Sequence, residues 1–381
     1  MEELLEGFIG LTWGKLAMFA IGLALIWAAI KKQYEPMLLL PIGFGAILAN
    51  IPGSSAVGEH GVLTYLMKNG IENELFPVLI FVAVGAMIDF GPLLSRPFML
   101  CYGFAAQIGI VITMVAARML GFDLGAATAI GNIGAADGPM AIVVSARLAP
   151  QLLGPISVAA YSYMALVPLI QPPVIRLMTT KAERTMRMPY RGAEISRRTR
   201  ILFPIIVTII ASLVAPICTA LVGMLMFGNL IRECGVLERL SKSAQNELAN
   251  LVTLLLGITI GSTMVADRFL TRDTLFIMLM GLIAFVFDTA GGVLFAKVAN
   301  IFLKDKVNPM VGAAGISAFP MSARVVQKIA QEEDPGNVIL PHTIAANVAG
   351  QIGSVFVGGL LLAIATWMIA NNIDLPVPVL F

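Results

Sequence analysis

Apolar residues run through this chain in blocks of about 20, the length a helix needs to cross bilayer hydrocarbon. Good candidate spans occupy roughly 11–30, 98–117, 153–175, 202–228, 248–265, 275–296 and 346–370. Two others are interrupted: 37–51 carries Pro41, Gly43 and Gly45, and 75–89 ends on Asp89. The stretches 124–146 and 306–327 are rich in glycine and alanine, broken by proline, and carry polar residues. A free backbone polar group facing lipid costs several kcal/mol, so these two must pack inside protein or line a wet cavity. The pattern predicts an all-α polytopic membrane protein with about 9–11 membrane segments, two of them broken.

The broken stretches resemble one another. Asn132-Ile133-Gly134-Ala135-Ala136-Asp137-Gly138-Pro139-Met140 leads to Ser145-Ala146-Arg147, and Asn308-Pro309-Met310-Val311-Gly312-Ala313-Ala314 leads through Phe319-Pro320-Met321 to Ser322-Ala323-Arg324. Both read Asn, Gly-Ala-Ala, Pro-Met, Ser-Ala-Arg. Paired broken segments in corresponding halves point to a transporter's binding site, with the halves as inverted repeats. The expected division is 1–175 as the first membrane repeat, with its broken motif at 124–148. A basic loop follows at 176–200, and 201–381 forms the second repeat, with its motif at 306–328. That loop holds Arg176, Lys181, Arg184, Arg187, Arg191, Arg197, Arg198 and Arg200 against Glu183 and Glu194. The positive-inside rule puts it in the cytoplasm, with Lys31 and Lys32 on the same side and Asn371, Asn372 and Asp374 outside.

Composition agrees on the solvent. Hydrophobic residues are 58% of 381 and charged residues 13%, which leaves too much apolar surface for water. Cys101, Cys218 and Cys234 are scattered, and His60 and His342 are the only histidines, so neither a disulfide framework nor a histidine metal site is indicated. The acidic start, with Glu2, Glu3 and Glu6, is unlike a signal peptide, so the first apolar block is expected to stay as a span. A phosphate-binding loop and a biotin-bearing Met-Lys-Met are both missing from the sequence. An ion gradient or a partner must therefore supply the energy, and nothing points to nucleic acid.

Asp137 leads the candidate residues, because an intramembrane carboxylate needs a partner or a task. Gly138 and Pro139 break the helix beside it and free carbonyls there. Carboxylate, amide and backbone oxygens form a hard donor set suited to Na⁺ or H⁺; capping a half-helix is the bland role. For Asn308, at the start of the second motif, Na⁺ ligation is expected. For Asn347, ligation and simple helix packing stay open. Tyr163 is a site hydroxyl or a belt anchor, Ser317 a relay or a packing residue, and Arg324 a carboxylate clamp or a snorkelling arginine. Asp89 reads as a helix end, and Asp288 is expected to pair with Lys297.

At these motifs the chain resembles the membrane β subunit of the sodium-pumping, biotin-dependent decarboxylases of oxaloacetate, methylmalonyl-CoA or glutaconyl-CoA. The likeness runs through 134–139, Tyr161 to Pro173, Thr289 to Lys297, Asn308 to Arg324 and 347–350. It implies site residues at Asp137, Tyr163, Asn308, Gly312, Ser317, Arg324 and Asn347. Asp137, Asn308 and Asn347 would hold Na⁺; Tyr163, Ser317 and Arg324 would serve catalysis, with Arg324 and Gly312 at the carboxylated biotin. Met140 departs from the threonine usual after Asp-Gly-Pro, so one hydroxyl ligand is missing. The resemblance further implies an elevator-like core and a β homotrimer in a bacterial cytoplasmic membrane. Its partners would be a carboxyltransferase α subunit, a biotin carrier and a small γ or δ anchor. The chain is compact beside oxaloacetate-type subunits, which points to an acyl-CoA system. Two rival readings are a sodium-coupled carrier of organic anions and an intramembrane aspartyl protease built on Asp137 and Asp288, for which the usual motifs are lacking.

Overall fold

The computed structural model describes residues 10–189 and 195–374. The acidic start, Arg191 and Glu194 lie outside these. The described residues form helices joined by short turns, without a β-strand. The principal helices are α1 (Trp13–Lys32), α2 (Pro36–Asn50), α3 (Leu75–Met87), α4 (Met99–Ala106), α5 (Ile108–Met119), α6 (Leu124–Gly131) and α7 (Gly138–Leu148). They continue with α8 (Leu153–Met178), α9 (Arg197–Val214), α10 (Thr219–Glu233), α11 (Ala249–Ser262), α12 (Arg272–Phe302), α13 (Met321–Glu333) and α14 (Leu340–Ala370). Among the described residues, five helical spans are long and apolar enough to cross a membrane, and a sixth arises if Val62–Ile71 and α3, bent by 61°, count as one. The chain is a multi-pass membrane protein.

Two apolar cores divide the molecule. One joins α1, α2, α11 and the start of α3 through Met18, Leu38, Ile42, Phe76, Leu256 and Ile260. Glycines permit its closest crossing: a Cβ on Gly22 would lie 2.8 Å from the Gly43 carbonyl, and one on Gly43 would lie 2.6 Å from that of Gly22. Such small-residue contacts let membrane helices meet backbone to backbone. The larger core gathers α4 to α8 and α12 to α14 around residues such as Tyr102, Ile133, Met140, Phe285 and Val326. Exposed Leu202, Ile206, Ile209, Ile210 and Leu213 leave α9 with an outward apolar face suited to lipid.

Both broken motifs are broken in the structure. The first runs α6, a turn at 132–137, then α7; the second runs Met310–Ala313, a turn at 314–320, then α13. The block at 202–228, expected as one span, divides instead into α9 and α10. Pro216 disfavours helical geometry in the residue before it, and Ala215 is accordingly at φ −137°, ψ 85°. The basic loop folds back onto the end of α13. Arg176 meets Glu332, Arg184 meets Glu333 and Arg187 meets Asp334, each at 2.7 Å. Lys297 pairs with Glu183 at 3.0 Å, not with Asp288 as expected: it lies nine residues further along α12, at the loop.

Candidate functional site

The first motif aims a carboxylate into the larger core. Asp137, with φ −117° and ψ 91°, is the N-cap of α7, and its Oδ1 accepts the Met140 N–H at 3.1 Å. Pro139 sits within the first helical turn, where its missing N–H costs nothing. Capping uses one oxygen. The other, Oδ2, accepts the Ser354 hydroxyl at 2.6 Å, from a helix 217 residues away in sequence. Asp137 is only 4% exposed.

Ser354 belongs to a polar stripe on α14. Asn347, Gln351 and Ser354 follow helical spacing and share one face. Asn347 donates to the carbonyls of Ala314 at 3.1 Å and Ile316 at 2.6 Å, and Gln351 donates to that of Ser317. Ser317 returns its hydroxyl to the Gly350 carbonyl at 2.9 Å. The two turns also meet directly, the Ser317 N–H donating to the Ala135 carbonyl at 3.0 Å. One face of α14 thus holds both breaks together. Glycine is required at this crossing, since a Cβ on Gly350 would lie 2.2 Å from the Gly315 carbonyl. The Asn347 amide oxygen is buried with no hydrogen-bond partner. It is a neutral hard acceptor on the face that holds Asp137, a donor suited to Na⁺.

The remaining expected residues make other contacts. The Asn308 amide donates to Met186 at 2.9 Å and Arg184 at 3.3 Å, while its oxygen accepts the Met310 N–H at 3.0 Å. It ties the second motif to the basic loop. The Tyr163 hydroxyl donates to the Met278 carbonyl, joining α8 to α12. Tyr161 is the tyrosine at the Asp137 break: a Cβ on Gly138 would lie 2.2 Å from its ring, and its buried hydroxyl has no partner. Gly312 is pressed against α12, where its Cβ would meet the Gly292 carbonyl at 1.9 Å. Met140 turns its side chain onto Gly358 and fills space in the larger core.

Arg324 is exposed and lines a cavity of about 420 Å³ with Asp89, Arg232, Phe319, Pro320 and Ile344. Its counterpart in the first motif, Arg147, pairs with Glu74 just before α3. The Arg324 cavity reaches Met87 and Asp89 at the other end of that helix. The two arginines therefore stand at opposite ends of α3.

A family model, the Na⁺-transporting oxaloacetate decarboxylase beta subunit, matches residues 14–365. This chain belongs to that family. It is similar to the glutaconyl-CoA decarboxylase subunit beta of Acidaminococcus fermentans, 49% identical over 94% of this chain and 95% of the relative. It is likewise similar to the methylmalonyl-CoA decarboxylase subunit beta of Veillonella parvula, 50% identical over 96% of both chains. An oxaloacetate decarboxylase beta chain of Salmonella typhi is 43% identical over 93% of this chain and 96% of its own. The protein is the membrane subunit of a sodium-transporting, biotin-dependent decarboxylase, in which Na⁺ is cargo and biotin rides on a partner subunit.

Two residues of the α14 stripe, Gln351 and Ser354, and Tyr161 of α8 escaped the sequence reading. The signal for the stripe was present, in three polar side chains at helical spacing along 347–354.

Proposed function

We propose that this subunit removes CO₂ from carboxylated biotin presented by a partner carrier and couples that loss to Na⁺ export in an acyl-CoA decarboxylase pump. The loss consumes one proton. The observation that carries the reading is the joint clamp on α14, where Asp137 and the free Asn347 oxygen lie on the helix face that ties both broken motifs. Asp137 supplies the charge that offsets Na⁺, and Asn347 supplies a neutral oxygen that lets the ion leave. Ser354 steadies the carboxylate. Asn308 would offer the ion its amide oxygen, now accepting the Met310 N–H, while its NH2 holds the Arg184 and Met186 carbonyls, which makes it a link between ion binding and the loop. Ser317 and Tyr163 complete the proton and ion path.

Arg324 would receive the carboxylate of the carboxylated biotin in the cavity it shares with Asp89 and Arg232, since guanidinium recognises planar anions in a forked geometry. Gly312 allows the second motif to press on α12 behind it. The placement of Arg147 and Arg324 at opposite ends of α3 supports inverted repeats, and with them an elevator-like movement of the core. The higher identity to glutaconyl- and methylmalonyl-CoA subunits, 49% and 50% against 43%, supports an acyl-CoA system. The assembly would be a homotrimer in a bacterial cytoplasmic membrane, with a carboxyltransferase, a biotin carrier and a small anchor subunit.

Inverted membrane vesicles test the reading. Addition of the acyl-CoA should drive sodium uptake that avidin blocks. Uptake driven by an ion gradient alone and indifferent to avidin would favour a simple carrier.

A further inference from the structure

α12 carries a second buried acid that the site above does not use. Gly281, Phe285, Asp288 and Gly292 follow helical spacing along one face of it. Each end of this face meets a broken motif. A Cβ on Gly281 would lie 2.9 Å from Ile133 and 2.7 Å from the Tyr163 ring, while one on Gly292 would lie 2.2 Å from the Gly312 carbonyl. Asp288 stands between them, fully buried. Its carboxyl is wedged between two glycines: a Cβ on Gly109 would come within 2.2 Å of Oδ1, and one on Gly134 within 2.6 Å of Oδ2.

Asp288 faces the peptide N–H groups of Gly109 and Ile110 at the start of α5. Neither carboxyl oxygen has a hydrogen-bond partner of ordinary geometry. The groups packed on it, Gly109, Ile110, Gly134 and Ala284, bring no charge. Titratable groups on the neighbouring elements are Cys101 and Tyr102 of α4, Arg118 of α5, Asp137 and Arg147 of the first motif, and Tyr161, Tyr163 and Arg176 of α8. Arg118 is paired with Asp374 and the Tyr163 hydroxyl is bonded to Met278. A carboxylate without counter-charge or full hydrogen bonding is costly at such a place. The start of α5, by contrast, lowers the cost of a transient anion.

We propose that Asp288 is a proton-carrying carboxyl of the translocating core. It holds a proton while wedged between Gly109 and Gly134, and exchanges it when the first motif shifts along α12. In the exchange one O–H bond breaks, the electron pair stays on the carboxyl oxygen, and the proton passes to water on the side then open. This deepens the pump reading above, because the decarboxylation consumes a proton.

Infrared spectroscopy of the purified complex, with the Asp288→Asn and Asp137→Asn variants, tests it. The expected result is a carbonyl band of a buried protonated carboxyl, shifted in D₂O, that persists in Asp137→Asn and vanishes in Asp288→Asn. The Asp288→Asn variant should bind radioactive sodium as the wild type does, yet lose about 100-fold or more in sodium-stimulated decarboxylation, the scale of a lost proton-transfer group. Absence of the band from Asp137→Asn overturns the assignment even if the Asp288 variant fails to fold. Wild-type turnover with an unchanged pH profile in Asp288→Asn overturns it equally. Absence of avidin-sensitive decarboxylation from the wild type would instead remove the pump reading and leave the infrared result standing.

Discussion

The two broken motifs share their lettering and differ in what their side chains do. In the first, Asp137 opens α7 and sends its second oxygen to Ser354. In the second, Pro320 stands at the N-cap of α13, and no side chain caps that helix. The serines diverge as well. Ser145 bonds back to its own helix at Ala141 and Ile142, whereas Ser322 reaches Gln171 at 3.0 Å and the Ala313 carbonyl at 3.1 Å. Asn132 donates within its own turn of helix to Thr128, while Asn308 ties two distant carbonyls of the basic loop. The first motif thus presents a charge, and the second builds the frame that holds it. A repeat preserves backbone breaks more faithfully than side-chain duties, because the break depends on local glycine and proline and the duty depends on neighbours.

The strongest way to break this contrast is to alter the leading side chain of each motif. Asp137→Asn should weaken the sodium dependence of decarboxylation by more than the 10- to 100-fold or so typical of outer-shell changes at an ion site. Asn308→Ala should cost far less in sodium titrations and should instead speed tryptic cleavage at the basic loop. Equal losses in the two variants would mean that both motifs ligate alike. Next in size, Ser354→Ala should weaken apparent sodium affinity about 10- to 100-fold with the fold intact, as an outer-shell partner does. An unchanged titration would detach α14 from the ion.

Gly350→Ala places a methyl where the Gly315 carbonyl already stands, at 2.2 Å. It should lower stability by about 1–3 kcal/mol, the usual cost of overpacking, read as a lower melting temperature in detergent. The smallest effects belong to the loop. The Arg184 hydrogen bond holds the Glu333 carboxyl below its usual range, and that of Arg187 does the same for Asp334. Depressed carboxylates contribute above their unfolded values and lose that contribution as pH falls through the folded ones. Resistance of the loop to an acid-active protease should therefore decline only at pH below the ordinary carboxylate range. High salt should erase most of the Arg187–Asp334 part, since that pair is exposed.

Much of this was legible along the chain because its signals are local. Apolar blocks, the glycine and proline after Asp137, and the basic cluster at 176–200 each state their meaning within a few residues. The split of 202–228 had an equally local signal in Pro216, yet the block was expected as one span. The partners were not local. Asp288 was expected to meet Lys297, yet it points between Gly109 and Gly134, while Lys297 reaches Glu183. Of the two tyrosines at 161 and 163, the one on the Asp137 break is Tyr161, a choice set by the rotation of α8 against α7.

By itself the sequence determined the solvent, the helical class, the two breaks and the family, because each follows from composition, short-range backbone chemistry or long ordered motifs. Tertiary structure alone decided which oxygens share a site. Asp137 and Ser354 meet only because α14 lays one face across both breaks, and glycines at the crossings let the backbones approach that closely. Side-chain partnership across more than 200 residues is a property of packing, and no local signal along the chain can encode it.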